Sequence, residues 1–315
     1  MALTLTESAK LATNQVYKGV VQTAYTNSQI LRWLKFDAIA GNAYQYVREN
    51  VASTASVYDP GDTITESTTT FTQVITALKR IIGDAQIDEF AQATRSEQMD
   101  QTAIQVALKI RAVAEQFETL FISGDSVGNA KQFDGLRPMC TTGNANRIGC
   151  NNNAADGASP TLDDIDRLID TVRGPTDLLV MSQRTKRKLK ALFRASGASL
   201  ETRTDFGMPI EYYSGIPIAT TNFIGDALTK GISTDCSEVY AVNLQEGFGV
   251  VGLQNEKTMQ VIERPDTGRL FLPGPQVVPV GPMETVDANK WRVRWYTSIA
   301  AYSLRGIACL DGVRP

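Results

Sequence analysis

The sequence predicts an α+β fold in which helices and strands do not alternate regularly. Three features predict it: one long amphipathic helix from about Thr94 to Phe121, short strand-like runs on both sides of it, and no repeating βα unit of the kind that builds a doubly wound sheet. In the helix, Ile104, Leu108, Ile110, Val113, Phe117, Leu120 and Phe121 recur at three- and four-residue spacing, and Gly124 supplies the stop. Before it, residues 1–40 carry apolar positions (among them Leu11, Val16, Tyr17, Val20, Trp33 and Phe36) too dispersed to build a core, so this arm is expected to lie on another surface. Residues 43–76 read as a hairpin. Alternation around Tyr44–Val47 and Thr69–Val74 gives its two strands, and Asp59-Pro60-Gly61-Asp62 gives the reversal. From Ser53 to Thr76, 11 of 24 residues are Ser or Thr, so the hairpin has almost no apolar face and needs a partner surface from outside itself.

Leu78–Phe90 reads as a further strand, and Ser123–Ala158, rich in Gly and Asn, as loops. An acidic helix follows, with Ser159 as its expected cap, Pro160 at the first position and Asp163 and Asp164 over the first turn. Leu178–Met181 reads as a buried strand, Gln183–Phe193 as a basic helix and Gly197–Tyr213 as a loop. Ile216–Ala219, Val239–Val242 and Thr258–Ile262 are expected strands, and Lys290–Leu310 reads as one continuous strand.

Composition removes whole classes of chemistry. The 315 residues contain no histidine, which excludes Ser-His-Asp and Cys-His hydrolases and His-containing zinc sites. Cys140, Cys150, Cys236 and Cys309 include no C-x-x-C pair, so a zinc ribbon and a thioredoxin-like motif are absent too. These cysteines read as reduced thiols, with Cys140 and Cys150 able to close the loop between them if the chain meets oxidising conditions. No cofactor and no metal are expected. Gly247-Phe248-Gly249-Val250-Val251-Gly252 fits G-x-G-x-x-G, but a strand-like run follows where a dinucleotide site needs a helix, so it reads as a glycine-rich turn. No G-x-x-x-x-G-K-[ST], G-x-S-x-G or S-x-x-K motif occurs. No run approaches the roughly 18 apolar residues of a membrane span, and Met1–Lys10 lacks a signal peptide's basic and apolar regions. A net charge of −3 argues against a surface that binds nucleic acid tightly. A local basic run (Arg184, Lys186, Arg187, Lys188, Lys190, Arg194) follows an acidic one (Asp163, Asp164, Asp166, Asp170). The two are either solvated helix faces or complementary patches on neighbouring copies of the chain.

An arm and a polar hairpin that cannot stabilise themselves, followed by a long helix and a mixed α+β body, resemble the major capsid proteins of tailed double-stranded DNA phages, the Hong Kong 97-like fold. The local match is Glu115-Gln116-Phe117-Glu118-Thr119-Leu120-Phe121-Ile122-Ser123-Gly124-Asp125 with Phe133-Asp134-Gly135-Leu136, similar to the end of that family's spine helix and the loop after it. Leu162–Val172 followed by Leu178–Ser182 and Lys186–Phe193 is a second match, and Gly215-Ile216-Pro217-Ile218 with Thr220–Phe223 a third.

The resemblance implies an arm over residues 1–42, an extended hairpin loop over 43–76, and a peripheral domain over 77–154 whose spine helix covers about 94–122. It further implies an axial domain over 155–270 and a return to the peripheral domain over 271–315. The implied function is a coat protein, not an enzyme, forming pentamers and hexamers of an icosahedral shell around packaged DNA in a virion assembled in the host bacterial cytoplasm. Its implied partners are further copies of itself, a separate scaffolding protein, a portal and non-specifically held DNA, with no membrane. Contact candidates are Tyr58, Asp59, Asp62 and Glu66 on the hairpin, and Asp163, Asp166, Arg184, Arg187 and Lys188 on the charged helices. Some relatives weld subunits through a hairpin lysine, but no Lys lies between Lys35 and Lys79, so cohesion is expected to be non-covalent or supplied by decoration proteins. An encapsulin-like compartment shell shares the fold and is the first alternative. A His-free cytosolic enzyme is the second.

Overall fold

A computed structural model describes residues 29–51, 54–89, 101–140, 146–197, 199–205, 208–264 and 268–314. The arm residues before Gln29 and the expected start of the long helix, residues 94–100, lie outside the described residues. The chain opens with helix α1 (Gln29–Trp33) and strands β1 (Phe36–Ile39), β2 (Ala43–Val51), β3 (Thr70–Ala77) and β4 (Lys79–Asp88). Helix α2 (Gln101–Ser123), helix α3 (Leu136–Met139), β5 (Arg147–Gly149), α4 (Leu162–Thr171), β6 (Leu178–Met181) and α5 (Gln183–Ala195) come next. Strands β7 (Glu201–Asp205), β8 (Met208–Tyr213), β9 (Ile216–Thr220), β10 (Leu228–Lys230) and β11 (Ser233–Val242) follow. The chain closes with β12 (Val250–Asn255), β13 (Gln260–Arg264), β14 (Gly268–Leu272), β15 (Gln276–Pro282), β16 (Ala288–Ala301) and β17 (Ile307–Val313).

Two sheets organise these elements. In the first, the 14-residue β16 pairs with β4 along one edge and with β15 and then β12 along the other, and β1 adds to β12 in parallel. The alternation seen at Trp291, Val293 and Trp295 drives this arrangement: Val293 and Trp295 are buried on the face that α2 covers, beside Ile81 and Ala85 of β4. On α2, Val106, Ile110, Val113, Phe117, Leu120 and Phe121 form the buried stripe, as the three- and four-residue spacing predicts. Leu108 departs from the expected set and lies on the solvent face, 55% exposed. Phe117 is the hub, its ring 4.6 Å from Trp295, 5.9 Å from Phe36 and 5.9 Å from Phe133.

The second sheet runs β5-β17-β11-β6-β9-β8-β7, with β10 on the side of β11. Leu179, Met181, Val239, Ala241 and Leu310 face α4 and α5 through Ile165, Leu168 and Leu189, while Leu178, Val180, Tyr240 and Val242 face the core shared with α2. The expected divisions at 155 and 270 are crossed: β5 and β17 join the second sheet, and β12 joins the first.

Three readings of the sequence need correction. The single strand expected over Lys290–Leu310 is two, because Ser303 caps a 3-10 turn at Leu304–Gly306 that redirects the chain from the first sheet into the second. The Gly197–Tyr213 loop contains the β7–β8 hairpin, hidden because Glu201–Asp205 has no apolar residue and Pro209 interrupts β8. The acidic helix is capped by Thr161 rather than Ser159: Thr161 Oγ1 accepts from the Asp164 amide at 3.2 Å, and the Asp164 carboxylate accepts from the Thr161 amide at 3.0 Å. The glycine-rich run behaves as expected, since Gly247 sits in a turn at φ +83° and the run continues directly into β12.

Truncating the fully buried Phe117 to Ala is expected to cost about 3–5 kcal/mol, read by urea unfolding of the subunit. Leu108→Ala, on the exposed face of the same helix, is expected to change stability by no more than about 0.5 kcal/mol.

Candidate assembly surfaces

The hairpin formed by β2 and β3 keeps one register from Ala43↔Ala77 to Glu49↔Phe71. Among the described residues, its base is the part that touches the body. There Tyr46 packs with Leu253 and Ala300, the Tyr44 and Tyr302 hydroxyls lie 3.1 Å apart, and Arg48 donates to the Ala301 carbonyl at 2.6 Å. Beyond the strands, polar side chains hold the two limbs together. The Thr54 amide donates to Ser67 Oγ at 2.9 Å, and Tyr58 Oη accepts from the Thr65 amide at 3.0 Å. At the reversal the Asp59 amide donates to Asp62 Oδ2, the Asp62 amide donates to the Asp59 carbonyl, and Gly61 takes φ +104°, a conformation that suits glycine. The four hairpin candidates therefore share one tip. Val57 and Ile64 beside them are exposed, as are Val47, Phe71 and Ile75 along the strands.

The charged helices are more occupied than their sequence suggests. Lys186 and Lys190 both pair with Glu211 of β8, and Arg184 donates to the Asp226 carbonyl at 3.3 Å. Asp166 accepts from the Tyr213 hydroxyl at 2.5 Å, and the Tyr213 ring meets Phe193 edge-on, so this tyrosine bridges α4 and α5. Asp163 and Arg187 are exposed, and Lys188 is half-buried.

Asp164 is buried within the helix cap. Burial opposes its charge, but hydrogen bonds from the Thr161 hydroxyl and amide and the Asn151 amide outweigh that, holding its pKa below 3.8. Cys140 and Cys150, expected as reduced thiols able to pair only under oxidising conditions, are both free and buried, Cys140 in the core under α2 and Cys150 in the core under α4. Burial pushes each thiol up to about 12, removing the thiolate that disulfide exchange requires.

Sequence reasoning missed one buried cluster. Glu238, 3% exposed, sits where the β11–β17 register shifts, a bulge that turns its side chain inward. It accepts from Arg137 Nε at 2.9 Å, from Arg147 Nη2 at 3.2 Å and from the Tyr240 hydroxyl at 2.5 Å; Asp311 then takes Arg147 and Lys230. The network ties α3, at the end of the α2 loop, to the second sheet. A carboxylate next to the apolar run Val239–Val242 was its local signal, since its cationic partners Arg137 and Arg147 lie 101 and 91 residues away in sequence.

A cleft of about 940 Å³ lies beside the hairpin base, lined among others by Tyr46, Arg48, Lys79, Val127, Phe133 and Arg137. Among the described residues no group of three or more Cys, Asp or Glu could hold a metal, and no helix is long and apolar enough to cross a membrane.

A sheet backed by one long helix, a second sheet with two helices, and a hairpin held only at its base define the Hong Kong 97-like capsid fold. The same architecture occurs in the capsid of cyanophage A-1(L), 10% identical over 91% of this chain and 93% of that one, with a TM-score of 0.67. It also occurs in the SrpI encapsulin of Synechococcus elongatus, 18% identical over 90% and 87% with a TM-score of 0.66. The capsid of an empty GTA particle is 11% identical over 91% and 90%, with a TM-score of 0.65. No curated protein sequence matches the chain. The sequence model of the SU10 major capsid protein family matches residues 4–244, and the chain belongs to that family. It is a structural protein of an icosahedral head shell, its partners are further copies of itself, and its place is the virion.

Asp164 stabilises the fold as a carboxylate, so its contribution is complete above about pH 4 and is lost as the pH falls through its lowered folded value. Asp164→Asn is expected to lower stability at neutral pH by about 1–3 kcal/mol and to approach the parent as the pH falls through the lowered folded value of Asp164, read by calorimetry over an acid series. All four thiols are expected to resist a thiol reagent in the native chain and to react in denaturant without reductant; fewer than four reactive thiols would reveal a disulfide.

Proposed function

We propose that the chain builds pentamers and hexamers by laying its hairpin on neighbouring copies, and that these close around double-stranded DNA held non-specifically. In this reading a separate scaffolding protein guides assembly in the host bacterial cytoplasm, a portal occupies one vertex, and cohesion is non-covalent or reinforced by decoration proteins. No residue is assigned a catalytic role. The observation that carries the reading is the hairpin: residues 54–68 are exposed throughout, among the described residues their limbs meet only one another, and an isolated two-stranded hairpin is marginal in water. A surface of this kind on a shell protein is supported when a neighbour covers it, and repetition of one such heterologous contact closes a ring.

The likeness to the SrpI encapsulin favours a second reading, a compartment shell enclosing protein. Electron microscopy of purified particles, with absorbance at 260 nm on the same fraction, separates the two. Nucleic acid inside supports the head-shell reading, and a protein filling overturns it.

Replacing residues 55–66 by Asn-Gly is expected to leave the subunit's melting temperature unchanged while abolishing closed shells in sedimentation and micrographs. Normal shells from this variant would remove the hairpin from the assembly contact.

A further inference from the structure

We infer that the cleft beside the hairpin base is a binding site for a small amphipathic anion, a phosphate or carboxylate head carrying an aliphatic tail. The inference concerns a single copy of the chain and is independent of the contacts between copies proposed above.

Three observations carry it. Enclosure comes first. The cleft holds about 940 Å³, within the range of cavities that take small molecules. Its walls come from the hairpin base, the loop after α2, helix α3 and the turn after β16. They are already fixed within the chain, since Tyr46 packs with Leu253 and Ala300 and the Phe133 ring lies 5.9 Å from Phe117. A ligand would meet a preformed site and spend little of its affinity on ordering it.

Charge comes second. The cleft is lined by Arg48, Lys79, Arg137 and Arg147 together with Asp125 and Asp134. The two carboxylates are engaged locally, Asp125 by the Val127 amide at 2.9 Å and Asp134 by the Ser126 amide at 2.8 Å. Arg137 and Arg147 are matched by Glu238 and Asp311. Among the described residues, Lys79 donates only to the Ala130 carbonyl and Arg48 only to the Tyr46 hydroxyl and the Ala301 carbonyl. The Arg48 guanidinium is held over the Tyr46 ring, 5.8 Å from its centre, and its Nε is buried without a hydrogen-bond partner. Two cations in the cleft wall therefore have neutral acceptors alone, and an anionic head would supply the charge-assisted bonds that they lack.

The apolar lining comes third and decides the tail. Tyr46 and Phe133 are only 7% and 2% exposed, so neither offers a ring face on which a flat aromatic ligand could stack. The apolar side chains that remain half-exposed along the cleft are Val74, Pro138, Met139 and Leu304. An aliphatic and thioether surface of this kind suits a flexible chain, to which methionine in particular adapts. The other basic surface, on β4 and β16, lacks this combination: Lys290 and Arg292 both pair with Asp84 at 2.8 Å, and Arg294 donates to Gln276.

The test is calorimetric titration of the purified full-length chain with octyl phosphate, using octylammonium and inorganic phosphate as controls. Octyl phosphate is expected to bind once per chain and to raise the melting temperature, and each control to bind at least about tenfold more weakly. Lys79→Gln is expected to weaken octyl phosphate about tenfold while leaving the melting temperature of the unliganded chain unchanged. Met139→Gln, similar in size, is expected to weaken it at least about fourfold, the worth of one buried methylene. Absence of saturable binding, an equal affinity for octylammonium or for inorganic phosphate, or an unchanged affinity in Lys79→Gln would each overturn the inference.

Discussion

The contact between Phe117 and Trp295 is the one on which the remaining architecture depends. It fixes α2 against β16, the strand that pairs with β4, β12 and β15 alike. Through β4 it positions the hairpin, since β3 runs directly into β4 at Leu78; through β12 it positions β1 and Leu253, which packs against Tyr46 at the hairpin base. Through the short turn after Ala301 it delivers β17 into the second sheet. Dense packing of aromatic rings at this junction is suited to the task, because interlocked side chains leave the helix and strand no alternative register.

Much of this was legible in the sequence where one periodicity dominates. The stripe on α2, the alternation at Trp291–Trp295, the polar hairpin with its Asp-Pro-Gly-Asp reversal and the basic helix all emerged at their places. What escaped follows a common cause. Strand β7 carries no apolar residue, so nothing in Glu201–Asp205 distinguishes an edge strand from a loop. The break at Ser303 is invisible because both flanking strands are apolar, and the turn between them is set by a hydroxyl cap. The cap at Thr161 was displaced from Ser159 because reciprocal bonding with Asp164 outcompetes a serine placed before proline. Long-range polar pairs such as Arg137–Glu238 have no local signature at all. The assembly candidates were legible as charge, yet only the fold shows which charges are taken: Lys186, Lys190 and Asp166 are occupied inside the chain, and the hairpin acids pair with no cation among the described residues.

The division between a self-sufficient body and a dependent hairpin follows from the distribution of apolar residues. Both faces of the second sheet are buried, one against α4 and α5 and the other in the core shared with α2, so this part of the chain completes itself. The hairpin strands, by contrast, leave Val47, Phe71 and Ile75 in solvent. The Glu238 network adds rigidity where the two layers meet. Removing one member of such a buried set leaves an uncompensated charge, which makes the junction between α3 and β11 intolerant of piecemeal change.

The serine- and threonine-rich hairpin has a kinetic meaning as well. A shell of many identical parts closes without defects only if a misplaced subunit can leave again before its neighbours lock it in. Apolar arms would bind tightly at first touch and freeze errors in place. In the proposed reading, a hairpin rich in hydroxyl groups and carboxylates would make each single contact weak and salt-sensitive, while a closed ring that engages every hairpin at once would gain its permanence from number. Reversibility during growth and durability at completion then arise from the same residues.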